Sequence, residues 1–103
     1  MNPEDLEKNW GTLAERAKYT VAGLAKVCGW SVRQLQRNFR MIMRDRPKRA
    51  LKALRLNAAR TLLEDGVTVK AAAYSLGYAR PEHLSRDFRK FYGLSPSELH
   101  KQC

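Results

Sequence analysis

A chain of 103 residues with 20 Lys and Arg against 10 Asp and Glu, net charge +10 and pI near 10.1, is too short for a large catalytic domain and far from a neutral globular background. Such a field attracts polyanions, nucleic acid or an acidic membrane surface, yet no apolar run approaches the roughly 18 residues of a spanning helix and no signal peptide is visible, which predicts a cytoplasmic protein outside the membrane. Two cysteines, Cys28 in the last turn of an expected helix and Cys103 at the chain end, make no disulfide framework, so Cys28 reads as packing.

In chain order, Asn2-Pro3 supplies an N-cap and a first-position proline for a helix over 3–17. This opening is acidic: over residues 1–17, Glu4, Asp5, Glu7 and Glu15 outweigh Lys8 and Arg16 by two, which leaves +12 on residues 18–103. Thr20 caps a helix over 21–28, and Ser31 with Gln34 forms a capping box for one over 32–43. Residues 47–64 read as one helix, with Leu51, Leu54, Ala58 and Leu62 at helical spacing and Asp65-Gly66 as its stop. Thr68 then caps 69–76, a helix follows over 81–92, and Ser95-Pro96 with Glu98 opens the last over 96–101. No segment alternates with a period of two over useful length. The expected fold is all-α, about seven helices in a single domain over 1–103.

The chain also repeats. Thr20-Val21, Gly29-Trp30, Leu35, Arg37, Phe39 and Pro47 return as Thr68-Val69, Gly77-Tyr78, Leu84, Arg86, Phe88 and Pro96, offset by 48 residues through the glycine turn and 49 beyond it. A helix start, a glycine turn and a basic residue beside an aromatic describe two copies of a helix-turn-helix, the motif that places a helix in a DNA groove. The expected parts are a first subdomain at 3–46, a linker helix at 47–64 and a second subdomain at 65–103. At about 1.5 Å per residue the linker spans roughly 27 Å, on the scale of the roughly 34 Å between successive major-groove faces, so it can act as a ruler as well as a core helix.

In the first repeat, Val32, Leu35, Phe39 and Ile42 lie on one helical face, so Arg33, Gln36, Arg37, Arg40 and Arg44 lie opposite. Arg and Gln suit bidentate bonds with guanine and adenine edges. In the second, Leu84, Phe88 and Phe91 are the expected buried face. Glu82, Ser85, Arg86 and Arg89 turn outward, with His83 and Lys90 at the flanks. Glu82 can accept from a cytosine amino group; Arg86, with Asp87 and Glu82 nearby, has an intramolecular salt bridge as its alternative. This second face is less basic, so the first helix is expected to contribute more affinity. Trp10, Trp30, Tyr74 and Tyr78 read as core or turn packing. His83 and His100 have no second ligand at a recognisable spacing, and no nucleophile, carboxylate pair or phosphate loop suggests chemistry. No metal, cofactor or enzymatic activity is expected.

These residues resemble the DNA-binding domain of the AraC/XylS family of bacterial transcription regulators. The second repeat carries Gly77-Tyr78, Leu84-Ser85-Arg86-Asp87-Phe88 and Gly93-Leu94-Ser95-Pro96; the linker carries Arg55-Leu56, Ala59-Arg60 and Leu62-Leu63; the first repeat carries Leu24-Ala25, Gly29, Ser31 and Leu35-Gln36-Arg37-Asn38-Phe39. The resemblance covers residues 20–101. It implies two helix-turn-helix subdomains whose reading helices enter adjacent major-groove segments, with Arg33, Gln36 and Arg37 at base-contacting positions and Glu82, Ser85 and Arg86 on the second reading helix. Three positions depart from the pattern: Arg44 stands where a glycine usually follows the first reading helix, Ala72 replaces a larger aliphatic, and Arg80-Pro81 replaces a better N-cap. The chain is similar to short stand-alone members that bind as monomers, and Met1 with the acidic first helix favours a complete product over a fragment.

The expected function is sequence-specific binding of double-stranded DNA as a transcription regulator, an activator by family analogy, with RNA polymerase as a second partner. Arg33, Gln36 and Arg37 are expected to read bases, and Arg40, Arg89 and Lys90 to hold phosphates. The alternatives are a protein-interaction adaptor that has kept the fold and a nonspecific nucleic-acid binder.

Overall fold

The computed structural model describes residues 2–102, and side chains through Leu99. Met1, Cys103 and the His100 side chain, on which the expectations about completeness, disulfide pairing and metal ligation partly rest, lie outside the described residues. Eight helices and no strand form among the described residues: α1 (Pro3–Lys8), α2 (Trp10–Arg16), α3 (Val21–Cys28), α4 (Val32–Met43), α5 (Pro47–Glu64), α6 (Val69–Ser75), α7 (Pro81–Tyr92) and α8 (Pro96–Gln102). The chain divides into two compact units inside α5, the first running to Leu54 and the second starting at Arg55.

The caps work as their residues dictate. Asn2 accepts from the Glu4 N–H, Thr20 from Gly23 and Thr68 from Ala71. Ser31 and Gln34 form a reciprocal capping box at 3.1 and 2.9 Å, and Ser95 and Glu98 repeat it at 3.2 and 3.4 Å. One expected helix is two. At Asn9 the backbone leaves the helical region (φ −115°, ψ 23°), and the Asn9 side-chain amide donates to the Asp5 carbonyl that its own N–H already uses. Asparagine competes with the helix in this way, and Gly11 two residues on adds little helical preference.

The first unit closes over Leu6, Leu13, Ala14, Leu24, Ala25, Cys28, Leu35, Phe39 and Leu51. Burial raises the Cys28 thiol above its usual value, in keeping with a packing role. Trp10 meets Phe39 edge-on at 5.0 Å between ring centres. α3 approaches the end of α2 so closely that a Cβ on Gly23 would run into the Ala17 carbonyl, which already accepts from the Thr20 hydroxyl at 2.9 Å. Glycine is what lets that corner close.

The second unit buries Leu56, Ala59, Leu63, Ala72, Ala73, Leu84 and Phe88. The stripe expected for α5 is therefore displaced: Leu51 is buried and Leu54 packs on the first core, but Ala58 and Leu62 are only half-buried while Leu56, Ala59 and Leu63 are fully enclosed. A helix that serves two separate cores has no single apolar stripe to detect. Three further expectations fail, the first being Tyr74, expected as core or turn packing and 51% exposed. Val32 is 42% exposed, and Phe91 is 54% exposed, Tyr92 instead standing 4.6 Å from Phe88. Val32 is the first residue of α4 and Phe91 lies in the last turn of α7, where a helix can point an apolar side chain past the edge of its core.

The two reading-helix candidates end alike despite different residues. Gly93 closes α7 at φ 81° and Arg44 closes α4 at φ 53°, each N–H bonding the carbonyl four residues back. A left-handed residue with a Cβ costs about 1 kcal/mol relative to glycine, and Arg44 bears it. Arg44→Gly is expected to raise unfolding stability by about 0.5–1 kcal/mol, and Gly93→Ala, where an added Cβ meets nothing within 4 Å, to lower it by about 1 kcal/mol through conformation alone. Urea midpoints at unchanged slope measure both.

Candidate nucleic-acid interface

Leu35 and Phe39, both fully buried, determine which way α4 faces. Arg33, Gln36, Arg37 and Arg40 then occupy i, i+3, i+4 and i+7 of the opposite face, and all four are exposed. The stripe contains no carboxylate. Its N-terminal end is held by the Ser31–Gln34 box and its C-terminal end by the Arg44 turn, so the side chains project from a helix fixed at both ends.

α7 is turned by the equivalent pair, Leu84 and Phe88. The same four positions, 49 residues on, hold Glu82, Ser85, Arg86 and Arg89; Glu82, Arg86 and Arg89 are exposed and Ser85 is half-buried. Lys90 and His83 are exposed beside them. The bridge that stood as the alternative role of Arg86 exists in loose form, its Nε 4.0 Å from an Asp87 carboxylate oxygen with the Arg86 side chain 64% exposed. An exposed contact at that length contributes little. Arg80 caps α7 with no side-chain hydrogen bond, and Pro81 follows it, so this helix starts with weaker local support than α4.

What holds α7 in register comes from a residue whose role was not evident in the linear pattern. Arg55 lays its guanidinium 3.7 Å above the Tyr78 ring and donates from Nε to the Leu76 carbonyl at 2.9 Å, satisfying the end of α6. Tyr78 in turn donates its hydroxyl to Asp87 on α7 at 3.4 Å. Burial raises the Tyr78 phenol above its usual value, with the Arg55 cation opposing, which keeps it protonated as a donor. Tyr92 similarly bonds Asn57 at 3.0 Å and lies under Arg60 at 5.1 Å.

A second group was also missed. Arg46, Lys48, Arg49 and Lys52 join Arg40 and Arg44 around an open depression where α4 meets α5, with Asp45 the acid among them. An adjoining concavity is lined by Val21, Gln36, Arg40, Arg46, Pro47 and Lys48, so the depression runs into the α4 stripe. Among the described residues no group of His, Cys, Asp and Glu could hold a metal ion, and no helix is long and apolar enough to cross a membrane.

A family model described as a helix-turn-helix domain matches residues 24–102. The chain is 32% identical over 98 residues to the HTH-type transcriptional activator RhaS of Pectobacterium carotovorum, covering 94% of this chain and 31% of that one. It is 36% identical over 67 residues to the HTH-type transcriptional regulator CdhR of Pseudomonas aeruginosa, covering 64% and 20%. The chain thus spans a third or less of the length of these relatives. Among solved structures it is similar to the DNA-binding domain of AdpA in complex with a target DNA (TM-score 0.79, 27% identity, 94% of this chain and 90% of that one). It is also similar to a transcriptional regulator with an AraC-type DNA-binding domain from Chromobacterium violaceum (TM-score 0.71, 26% identity, 88% of each).

Because Ser31 anchors the first turn of α4, Ser31→Ala is expected to cost about 1 kcal/mol, seen as a lower urea midpoint.

Proposed function

Because the chain belongs to the AraC/XylS family of helix-turn-helix DNA-binding domains, we propose that it binds double-stranded DNA sequence-specifically as a bacterial transcription regulator, with α4 and α7 as reading helices for adjacent major-groove segments. The observation that carries this reading is the acid-free exposed stripe of α4, Arg33, Gln36, Arg37 and Arg40, presented by a helix whose rotation is set by Leu35 and Phe39. Arg33, Gln36 and Arg37 read base edges, where fork-shaped guanidinium and amide groups distinguish guanine and adenine. Arg40, Arg89 and Lys90 hold phosphates, which position the protein without reading sequence. Glu82, Ser85 and Arg86 form the second reading face, chemically unlike the first. Two different faces call for a site whose halves differ, without palindromic symmetry.

The name of RhaS supports activation as the regulatory outcome, and RNA polymerase is the partner an activator needs. A monomer acting in the cytoplasm completes the proposal. The AdpA domain, solved on its target DNA, supports the DNA-binding part of it.

Selection from random duplex DNA tests the reading: the expected result is one motif extending over about two major-groove turns, and recovery of unrelated duplexes with equal affinity would contradict it. On the selected duplex, Gln36→Ala or Arg37→Ala is expected to cost about 1–3 kcal/mol and relax preference at one or two base pairs, whereas Arg89→Ala weakens all sequences alike. Affinity should fall steeply as salt rises, because phosphate neutralisation releases counterions; a fluorescence titration measures it.

A further inference from the structure

The corner between α4 and α5 adds Arg44, Arg46, Lys48, Arg49 and Lys52 to Arg40, the last cation of the α4 stripe. Arg40 from the last turn of α4, Arg44 and Arg46 from the three-residue link, and Lys48, Arg49 and Lys52 from the first two turns of α5 line one depression, with Asp45 as its acid. Asp45 is itself engaged, accepting from the Arg46 N–H at 2.7 Å. Two local preferences are broken in building this corner. Arg44 occupies a left-handed turn that glycine occupies at the matching place after α7. The first turn of α5 carries Lys48 and Arg49 and no acid, at the positive end of the helix dipole; α2, α3, α4 and α6 also lack a first-turn acid, while α1, α7 and α8 carry Glu or Asp there. Charges placed against both the backbone and the dipole are what a site for an external anion requires, since the helix end and the side chains then act together.

We propose that this corner binds the phosphodiester backbone of duplex DNA beyond the segment that α4 reads, as a clamp that sets register without reading bases. The inference rests on the proposed DNA binding and deepens it. Continuity with the reading face favours this occupant: Arg40, Arg46 and Lys48 also line the neighbouring concavity that contains Gln36, so a strand leaving the α4 groove meets the corner next. The depression is open and lined by six cations, without the enclosure that a single small anion would need.

Arg44→Gly and Arg49→Gln test it by fluorescence anisotropy on the selected duplex and on a scrambled duplex of equal length, from about 50 to about 200 mM salt. Lys8→Gln, which removes the same charge from α1, serves as control. The expected result is a loss of about three- to tenfold per variant at moderate salt on both duplexes, with the ratio between them kept, and a salt slope shallower by about 0.9 for each phosphate no longer neutralised. Arg44→Gly should do this without losing stability in a parallel urea titration, which separates weakened binding from unfolding. Selective binding by the wild type with unchanged slopes in both variants, or losses no larger than that of Lys8→Gln, would overturn the clamp alone. A wild type that binds no duplex would overturn the clamp and the DNA-binding reading together.

Discussion

The structure depends on how two buried pairs set the rotation of two helices. Leu35 with Phe39 and Leu84 with Phe88 are each fully enclosed, and no polar or charged residue is buried among the described residues. Enclosing a leucine or phenylalanine is worth about 1.5–3 kcal/mol, and taking an unpaired guanidinium out of water costs more than that again. Rotating α4 by a quarter turn would forfeit the first and incur the second. The exposed stripe therefore needs no attraction of its own to be where it is; the core positions it by exclusion.

The two repeats share this design but are supported by unrelated contacts. In the first unit Trp10, from outside the repeat, seals Phe39 edge-on. In the second, Arg55 spans from α5 to the end of α6, stacks on Tyr78 and through it reaches Asp87 on α7. One solution is apolar and the other polar, with a cation on an aromatic face where the first unit uses an aromatic on an aromatic. The polar arrangement stands in a unit where α7 has no side-chain bond at its N-cap Arg80, so α7 is held from its middle and its C-terminal turn where α4 is held at both ends.

Much of this was legible in the sequence because its strongest signals are local. Caps and glycine turns act within four residues, and Thr20, Ser31, Thr68 and Ser95 each place a helix start by a bond visible as a residue pair. The outward stripe of α4 was equally legible, since helical geometry alone puts Arg33, Gln36, Arg37 and Arg40 opposite Leu35 and Phe39. What escaped was non-local or competitive. Asn9 breaks the first helix through a side chain competing for a backbone carbonyl. Phe91 and Val32 satisfy the apolar period but lie where no neighbour covers them. The corner cations beyond Arg40 and Arg44, namely Arg46, Lys48, Arg49 and Lys52, lie past the end of α4, so no single helical period gathers them with its stripe; the tight link at Arg44 does.

The division of α5 has a consequence for how the chain acquires its shape during synthesis. Leu51 belongs to the first core and Leu56 to the second, so the first unit lacks a wall until translation has passed the opening turns of α5, and the second begins to gather its own from the next turn onward. Units that emerge in order tend to fold in order. A single helix thus closes one nucleus while it starts another, and a nascent chain that paused once residue 54 had emerged from the ribosome would hold a finished half attached to an unfinished template.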